Sequence, residues 1–151
     1  MKTFLYFSFS LFLAFSGKAQ KVDPTYKQVS YGPHEDMTLN FWKIESQNPA
    51  PLLVHIHGGG WLGGKKHEKA NANELKHGYS FASIDYRLAG VELLPAAVHD
   101  AARAIQFLRT KASDWNFDPN RIAVTGGSAG AASSLWLAYH DDLADPKSKD
   151  P

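Results

Sequence analysis

The sequence contains no cysteine, which excludes disulfide bonds, thiolate catalysis and zinc sites built on thiolates. It also carries almost no net charge, because 16 Lys and Arg residues balance 15 Asp and Glu residues to give +1. With no stripe of basic residues, the chain does not fit an electrostatic nucleic-acid binder. What is present is a chain of 151 residues, 44% hydrophobic and 21% charged, which suits one globular domain with its own core.

One long apolar run stands at the amino terminus. Residues 4–15 are apolar apart from serines, Lys2 supplies a positive charge, and Gly17 and Ala19 are small residues ahead of a cleavage point. This pattern is typical of a secretory signal peptide, and the run is shorter than the about 20 residues that a membrane span needs. We expect residues 1–19 to be removed, no stable membrane anchor to remain, and the product to be secreted or periplasmic.

A strand, a glycine turn and a helix follow one another around a single serine. Residues 122–125 are apolar, residues 126–130 read Gly-Gly-Ser-Ala-Gly, and the following residues are rich in Ala and Leu. A nucleophile elbow needs this order, because its turn is too tight for bulky neighbours. It would expose the Ser128 hydroxyl and aim the Ala129 amide at the same point. The pentapeptide alone fits a glycine-rich turn without chemistry about equally well.

A second glycine motif lies upstream, directly after another apolar strand. Residues 51–56 form that strand, and residues 57–61 read His-Gly-Gly-Gly-Trp. Three glycines after a strand allow several backbone amides to face one point, where they can bind an oxyanion. A flexible loop or a phosphate-binding loop is the alternative, but no G-x-x-x-x-G-K-[ST] is present and no G-x-G-x-x-G opens a helix. The two glycine motifs together favour acyl-transfer chemistry.

With Asp-Tyr-Arg-Leu-Ala at residues 85–89, these motifs resemble α/β-hydrolases of the hormone-sensitive-lipase and feruloyl-esterase-like (BD-FAE-like) carboxylesterase group, over about residues 30–140. The resemblance implies a lipase-like serine ester hydrolase acting on small-molecule or polysaccharide-linked esters of short acids. No metal or organic cofactor is required. The implied site consists of the nucleophile Ser128, the oxyanion-hole amides of Gly59, Gly60 and Ala129, and the supporting residues His57, Gly58, Gly126 and Gly130.

Strands alternate with helices, which predicts an α/β fold with a mostly parallel sheet, flanking helices and antiparallel strands at the amino terminus. The lysines of residues 65–69 are expected on a solvated face. Asp85 and Arg87 are expected to hold their loop by hydrogen bonds and charge pairing, and His99 and Asp100 to be a satisfied pair. The predicted strands are 25–31, 37–44, 52–56, 81–85 and 122–125, the helices 67–76, 95–112 and 129–139, and a turn covers 114–120.

The sequence offers no recognisable base for Ser128. A serine needs one to take its proton, and the α/β-hydrolase order is serine, then acid, then histidine. His140 follows on the same helix, which at 1.5 Å rise per residue places it roughly 15 Å or more away. Asp85 precedes the serine and is not expected to be the acid. We expect residues 20–151 to be the N-terminal part of a hydrolase domain, truncated after the nucleophile helix and inactive alone.

Two other interpretations stay open. A serine peptidase of the same fold would use the same nucleophile, although the triple-glycine loop favours an esterase. A non-catalytic fragment or binding module would account for the missing acid and histidine of the triad. Comparison of ester with anilide hydrolysis separates the first alternative from an esterase, and a Ser128→Ala comparison separates the second.

Overall fold

The computed structural model describes residues 20–140, apart from the side chains of Asn73 and Glu74. In chain order the elements are β1 (Lys21–Val22), β2 (Tyr26–Ser30), β3 (Thr38–Trp42), β4 (Ala50–Ile56), β5 (Ala70–Asn71), α1 (Ala72–Leu75), β6 (Ser80–Ile84), α2 (Ala96–Trp115), β7 (Phe117–Gly126) and α3 (Ala129–Tyr139). A five-stranded sheet has the order β2-β3-β6-β4-β7, and β1 pairs with β5 in a separate small sheet.

Four strands of the large sheet, β2, β4, β6 and β7, run in the same direction, and β3 runs in the opposite one. β4 is parallel to β6 and to β7, whereas β3 is antiparallel to β2 and to β6. The predicted α/β fold, with a mostly parallel sheet and antiparallel strands near the amino terminus, is confirmed. Because the carboxyl ends of parallel strands meet at one edge, the segments that follow β4, β6 and β7 come together there.

The main core lies between α2 and one face of the sheet. Along β4 every second side chain is fully buried on this face, in the alternation expected of a strand. The predicted helix 95–112 is confirmed and extends to Trp115. Its apolar stripe is mostly alanine, which allows the helix to approach the strands closely. The buried helix residues include Ala97, Ala101, Ala104, Ile105, Leu108 and Ala112.

The predicted turn at 114–120 is wrong at both ends. α2 includes Trp115, β7 begins at Phe117, and Asn116 alone links them in left-handed conformation, with φ 58°. Trp115 and Phe117 both enter the main core, so burial of two aromatic rings outweighs the turn preference of the neighbouring Asp, Asn and Pro residues. A bulge at 118–121 then interrupts the pairing of β7 with β4.

The helix predicted at 67–76 is largely replaced by other structure. α1 is limited to Ala72–Leu75, and the preceding Ala70 pairs with Val22 of β1. Ala70 enters a second core beside Trp42 and Phe81 on the opposite face of the sheet. Trp42 fixes β1 there, because its indole Nε1–H donates to the Val22 carbonyl oxygen at 2.9 Å. A distant strand therefore overrides the local helix preference.

Between residues 20 and 140 no helix is both long and apolar enough to cross a membrane. The predicted signal peptide, residues 1–19, lies outside the described residues. The same holds for residues 141–151, at the end of the predicted domain.

Candidate active site

Ser128 lies in a sharp turn between β7 and α3. β7 ends at Gly126, α3 begins at Ala129, and Ser128 has φ 54° and ψ −122°. A serine with positive φ is strained, and strain of this kind persists where the surroundings impose it, often at functional sites. The residue is exposed, and its side chain makes no capping hydrogen bond with α3. The hydroxyl is therefore available to a ligand at the carboxyl edge of the sheet.

Glycines flank Ser128 because the turn is pressed against the end of β4. A Cβ built on Gly126 or on Gly130 would overlap the carbonyl oxygen of Ile56, the last residue of β4. Gly127 has no neighbouring atom within 4 Å of such a Cβ. The requirement for glycine is therefore steric at positions 126 and 130.

The glycine loop that follows β4 faces this turn. Gly59 and Gly60 have φ values of 111° and 63°, in the region that glycine adopts most readily. A Cβ built on Gly58 would lie 2.7 Å from the Gly127 carbonyl oxygen and 3.5 Å from the Ser128 Cβ. The loop and the serine turn thus touch at the level of the backbone. The structure brings together the two glycine motifs that lie about seventy positions apart in the sequence.

The amides expected to form an oxyanion hole are those of Gly59, Gly60 and Ala129. In the part of the chain that the structure describes, none of the three donates to another backbone carbonyl. Ala129 is the first residue of α3, where the positive end of the helix dipole adds to the attraction for an anion. The three amides therefore have no backbone acceptor among the described residues, and their role as an oxyanion hole stays a prediction.

His57, the first residue of the glycine loop, is buried and contacts Gly58, Asp85 and Tyr86. Its Nδ1 lies 2.8 Å from the Gly58 carbonyl oxygen, and its Nε2 lies 3.6 Å from Asp85 Oδ1. The ring stacks on Tyr86 at 4.2 Å between centroids, and the Tyr86 hydroxyl donates to the His57 carbonyl oxygen at 2.9 Å. Burial, together with the charge of Asp85, raises the pKa of Tyr86 to about 12, so this donor stays protonated at neutral pH.

The expectation that the lysines of 65–69 form a solvated face is wrong for Lys66, which is 5% exposed. Its Nζ lies 2.6 Å from Asp85 Oδ2 and 2.9 Å from Thr38 Oγ1, and its backbone N–H donates to Asp85 Oδ1 at 2.5 Å. Asp85 therefore contacts both ends of the segment 57–66. The sequence does not separate Lys66 from the lysines beside it. Its burial follows only from its contacts with Asp85 and Thr38, which lie far away in the sequence.

Arg87 holds the segment after β6 to the start of α2. Its Nε lies 2.9 Å from Asp100 Oδ2, its second terminal nitrogen lies 2.6 Å from Asp100 Oδ1, and it also pairs with Glu92. Hydrogen bonding to Asp100 is the main reason that the pKa of Arg87 is raised. The predicted loop-holding roles of Asp85 and Arg87 are confirmed, although each has its own partners and they do not pair with each other.

No described hydrogen bond joins a histidine to Ser128 within residues 20–140. The Nδ1 of His57 is bound to Gly58, and its Nε2 faces Asp85 at 3.6 Å. His140 follows α3, and its Nδ1 lies 2.9 Å from the carbonyl oxygen of Trp136 in its own helix. His99 lies beside the Trp136 ring. The lack of a base for Ser128 stays a prediction.

The site consists of a strand, a serine with positive φ and a helix, and a glycine loop at the end of the adjacent parallel strand faces the serine. This arrangement defines the α/β-hydrolase class. A comparison with protein-family models gives a match to the BD-FAE family over residues 40–149. The chain belongs to the BD-FAE family, which confirms the resemblance based on the glycine motifs.

Several proteins similar to this chain are named as esterases. Carboxylesterase NlhH of Mycobacterium tuberculosis is 37% identical over 116 residues, which cover 74% of this chain and 36% of the relative. Esterase LipQ of the same organism is 33% identical over 127 residues, covering 78% and 30%. A solved structure, a truncated form of a carbohydrate esterase from gut microbiota, matches with a TM-score of 0.67 at 27% identity, covering 74% and 41%. The chain spans about a third of the length of these curated relatives.

Proposed function

We propose that this chain carries the nucleophile and the oxyanion hole of a secreted serine ester hydrolase. The observation that carries the proposal is the contact between the two glycine motifs. Ser128, held at φ 54°, faces a loop whose Gly58 Cα would place a Cβ 3.5 Å from the serine Cβ. A nucleophile and several free amides at one point are what acyl transfer requires.

In the proposed reaction a general base takes the proton of Ser128 Oγ while the oxygen attacks the ester carbonyl carbon. The carbonyl oxygen becomes an oxyanion and accepts hydrogen bonds from the amides of Gly59, Gly60 and Ala129. When the tetrahedral intermediate collapses, the bond to the leaving oxygen breaks, and the protonated base returns the proton to the alcohol. Water then attacks the acyl-serine in the same way and releases the acid.

The proposed base is not among the described histidines. The His57 carbonyl oxygen and Nδ1 are hydrogen-bonded, its Nε2 lies 3.6 Å from Asp85 Oδ1, and His140 is bound to its own helix. A buried imidazole with one ring hydrogen bond, to Gly58, and with Asp85 3.6 Å from its other nitrogen cannot swing to Ser128 without losing those contacts. The mechanism therefore needs a base, and an acid to orient it, from outside residues 20–140.

The substrate class that we propose is an ester of a short acid on a carbohydrate. The support is the solved relative described as a carbohydrate esterase, at 27% identity and a TM-score of 0.67. The curated relatives named as carboxylesterase and esterase support ester hydrolysis without specifying the alcohol. In the described part of the chain Ser128 is exposed at the carboxyl edge of the sheet.

The proposed activity is tested on the protein expressed from its intact gene, from start codon to stop codon. We expect hydrolysis of p-nitrophenyl acetate and release of acetate from acetylated xylan, with little cleavage of an aminoacyl p-nitroanilide. The measurement is initial rate against substrate concentration for each compound. Preference for the anilide would identify a peptidase of the same fold instead. No hydrolysis of any of the three would favour a non-catalytic protein.

We also propose that residues 1–19 are a signal peptide cleaved after Ala19. The support is the sequence, in which Lys2 precedes the apolar run of residues 4–15 and the small residues Gly17 and Ala19 stand ahead of the cleavage point. The expected result is an intact mass that starts at Gln20 for protein recovered outside the cytoplasm. A mass that retains Met1 in that fraction would contradict cleavage.

A further inference from the structure

Trp61, the last residue of the glycine loop, has an unusual backbone conformation for its type. Gly59, Gly60 and Trp61 form a run of three positive φ values, 111°, 63° and 58°. The first two positions hold glycine, which adopts such values without steric cost. A bulky residue at positive φ is a genuine outlier, and glycine would be less strained there. The tryptophan side chain must therefore contribute something that glycine cannot.

The indole of Trp61 connects the loop to the helix that follows Ser128. Its Nε1–H donates to Ser133 Oγ at 3.1 Å, and Ser133 is 1% exposed. The ring packs against the main core, and the Trp61 carbonyl oxygen accepts the Ala89 N–H at 2.7 Å. Trp61 is thus fixed through both its side chain and its backbone.

The other contacts between the loop and the serine turn are steric. Gly58 lies against the Gly127 carbonyl oxygen and the Ser128 Cβ, which limits how closely the two segments approach. A steric contact does not prevent them from separating or sliding. Within residues 20–140, the bond from Trp61 to Ser133 is the one described side-chain hydrogen bond between the loop and α3. This bond opposes both kinds of displacement.

We propose that Trp61 is a positioning residue, whose hydrogen bond to Ser133 holds the amides of Gly59 and Gly60 at the distance from Ser128 that oxyanion binding requires. The inference rests on the esterase function proposed above. It adds a direct hydrogen bond between the glycine loop and α3, which keeps the distance between the loop amides and Ser128 constant. Such precision matters because a displacement of about 1 Å in an active site can cost about 100-fold in rate.

The test uses Ser133→Ala in the protein expressed from the intact gene. The substitution removes the acceptor and leaves Trp61 in place. We expect kcat for p-nitrophenyl acetate to fall by about 10- to 100-fold with KM changed by no more than about two-fold, because the lost interaction acts in the transition state. Rates are expressed per active site, counted by the burst with a p-nitrophenyl phosphonate, so that unfolded molecules do not enter kcat.

Two further variants separate positioning from general stability. Ser134→Ala is the matched control, since the Ser134 hydroxyl donates to Gly130 in its own helix at 2.8 Å and not to the loop. Its kcat should equal that of the parent protein. Trp61→Phe removes the indole N–H and should lower kcat like Ser133→Ala, and the double variant should lose little more, because the two groups form one bond.

The outcomes distinguish this inference from the proposed function. If the parent protein hydrolyses the ester and Ser133→Ala keeps its kcat per titrated site, the positioning role is overturned while the esterase stands. A kcat loss in Ser134→Ala equal to that in Ser133→Ala would likewise overturn it, since the effect would then belong to the helix. If the parent protein shows no hydrolysis, the proposed function and the inference fail together.

Discussion

Replacing Ser128 with alanine is expected to lower kcat for ester hydrolysis by about 10⁴-fold or more, as loss of the nucleophile does in serine hydrolases. The substitution removes one oxygen from an exposed side chain that makes no capping hydrogen bond, so the fold should be unaffected. The measurement is kcat for p-nitrophenyl acetate, beside an unfolding curve for each protein. The oxyanion hole remains, and it should leave a small residual rate above that of water.

Stability gives an independent view of the same residue. Ser128 has φ 54° and ψ −122°, and a non-glycine residue in such a region costs on the order of 1–3 kcal/mol. Ser128→Gly should therefore abolish activity like alanine and yet raise the free energy of unfolding by about 1 kcal/mol. Alanine keeps the Cβ and should bring no such gain. If the Ser128→Ala protein hydrolysed the ester at the parent rate, the reaction would not use Ser128 as its nucleophile.

The candidate site was predictable where its chemistry is local in sequence. The turn at 126–130 follows from the lack of bulky side chains around one serine, and the loop at 57–61 follows from three glycines after a strand. The structure places both at one sheet edge because β4 and β7 are adjacent and parallel. Alternating strands and helices were likewise enough to predict the sheet that carries them.

The missed features depend on contacts between distant segments. Lys66 resembles its solvated neighbours in sequence, and only the pairing of its Nζ with Asp85 explains its burial. The strand at Ala70 exists because β1 lies beside it, and no local signal indicates that partner. Trp61 looked like the end of a motif, but its positive φ and its bond to Ser133 are visible only in three dimensions. Local patterns predict elements, whereas such pairings require the assembled fold.

Gly130→Ala is expected to destabilise the protein by about 3 kcal/mol or more, within the range of severe packing and strain mutations. A Cβ at this position would overlap the Ile56 carbonyl oxygen and lie 2.9 Å from the His57 carbonyl oxygen. Both obstacles are backbone atoms at the end of β4, so no side chain can rotate away to make room. The first turn of α3 would have to move off the strand, and Ser128 would move with it.

Gly127→Ala is the matched control, three positions earlier in the same turn. Nothing lies within 4 Å of a Cβ built there, and Gly127 is not among the residues with positive φ. Because alanine restricts the unfolded chain more than glycine does, this variant should change stability by less than about 1 kcal/mol, and the change can be favourable. Urea unfolding followed by tryptophan fluorescence measures both variants, with equal m-values required for the comparison. Equal stability of the two variants would mean that α3 does not pack against the end of β4 as described. The close contact between Gly130 and the Ile56 carbonyl oxygen would then be wrong.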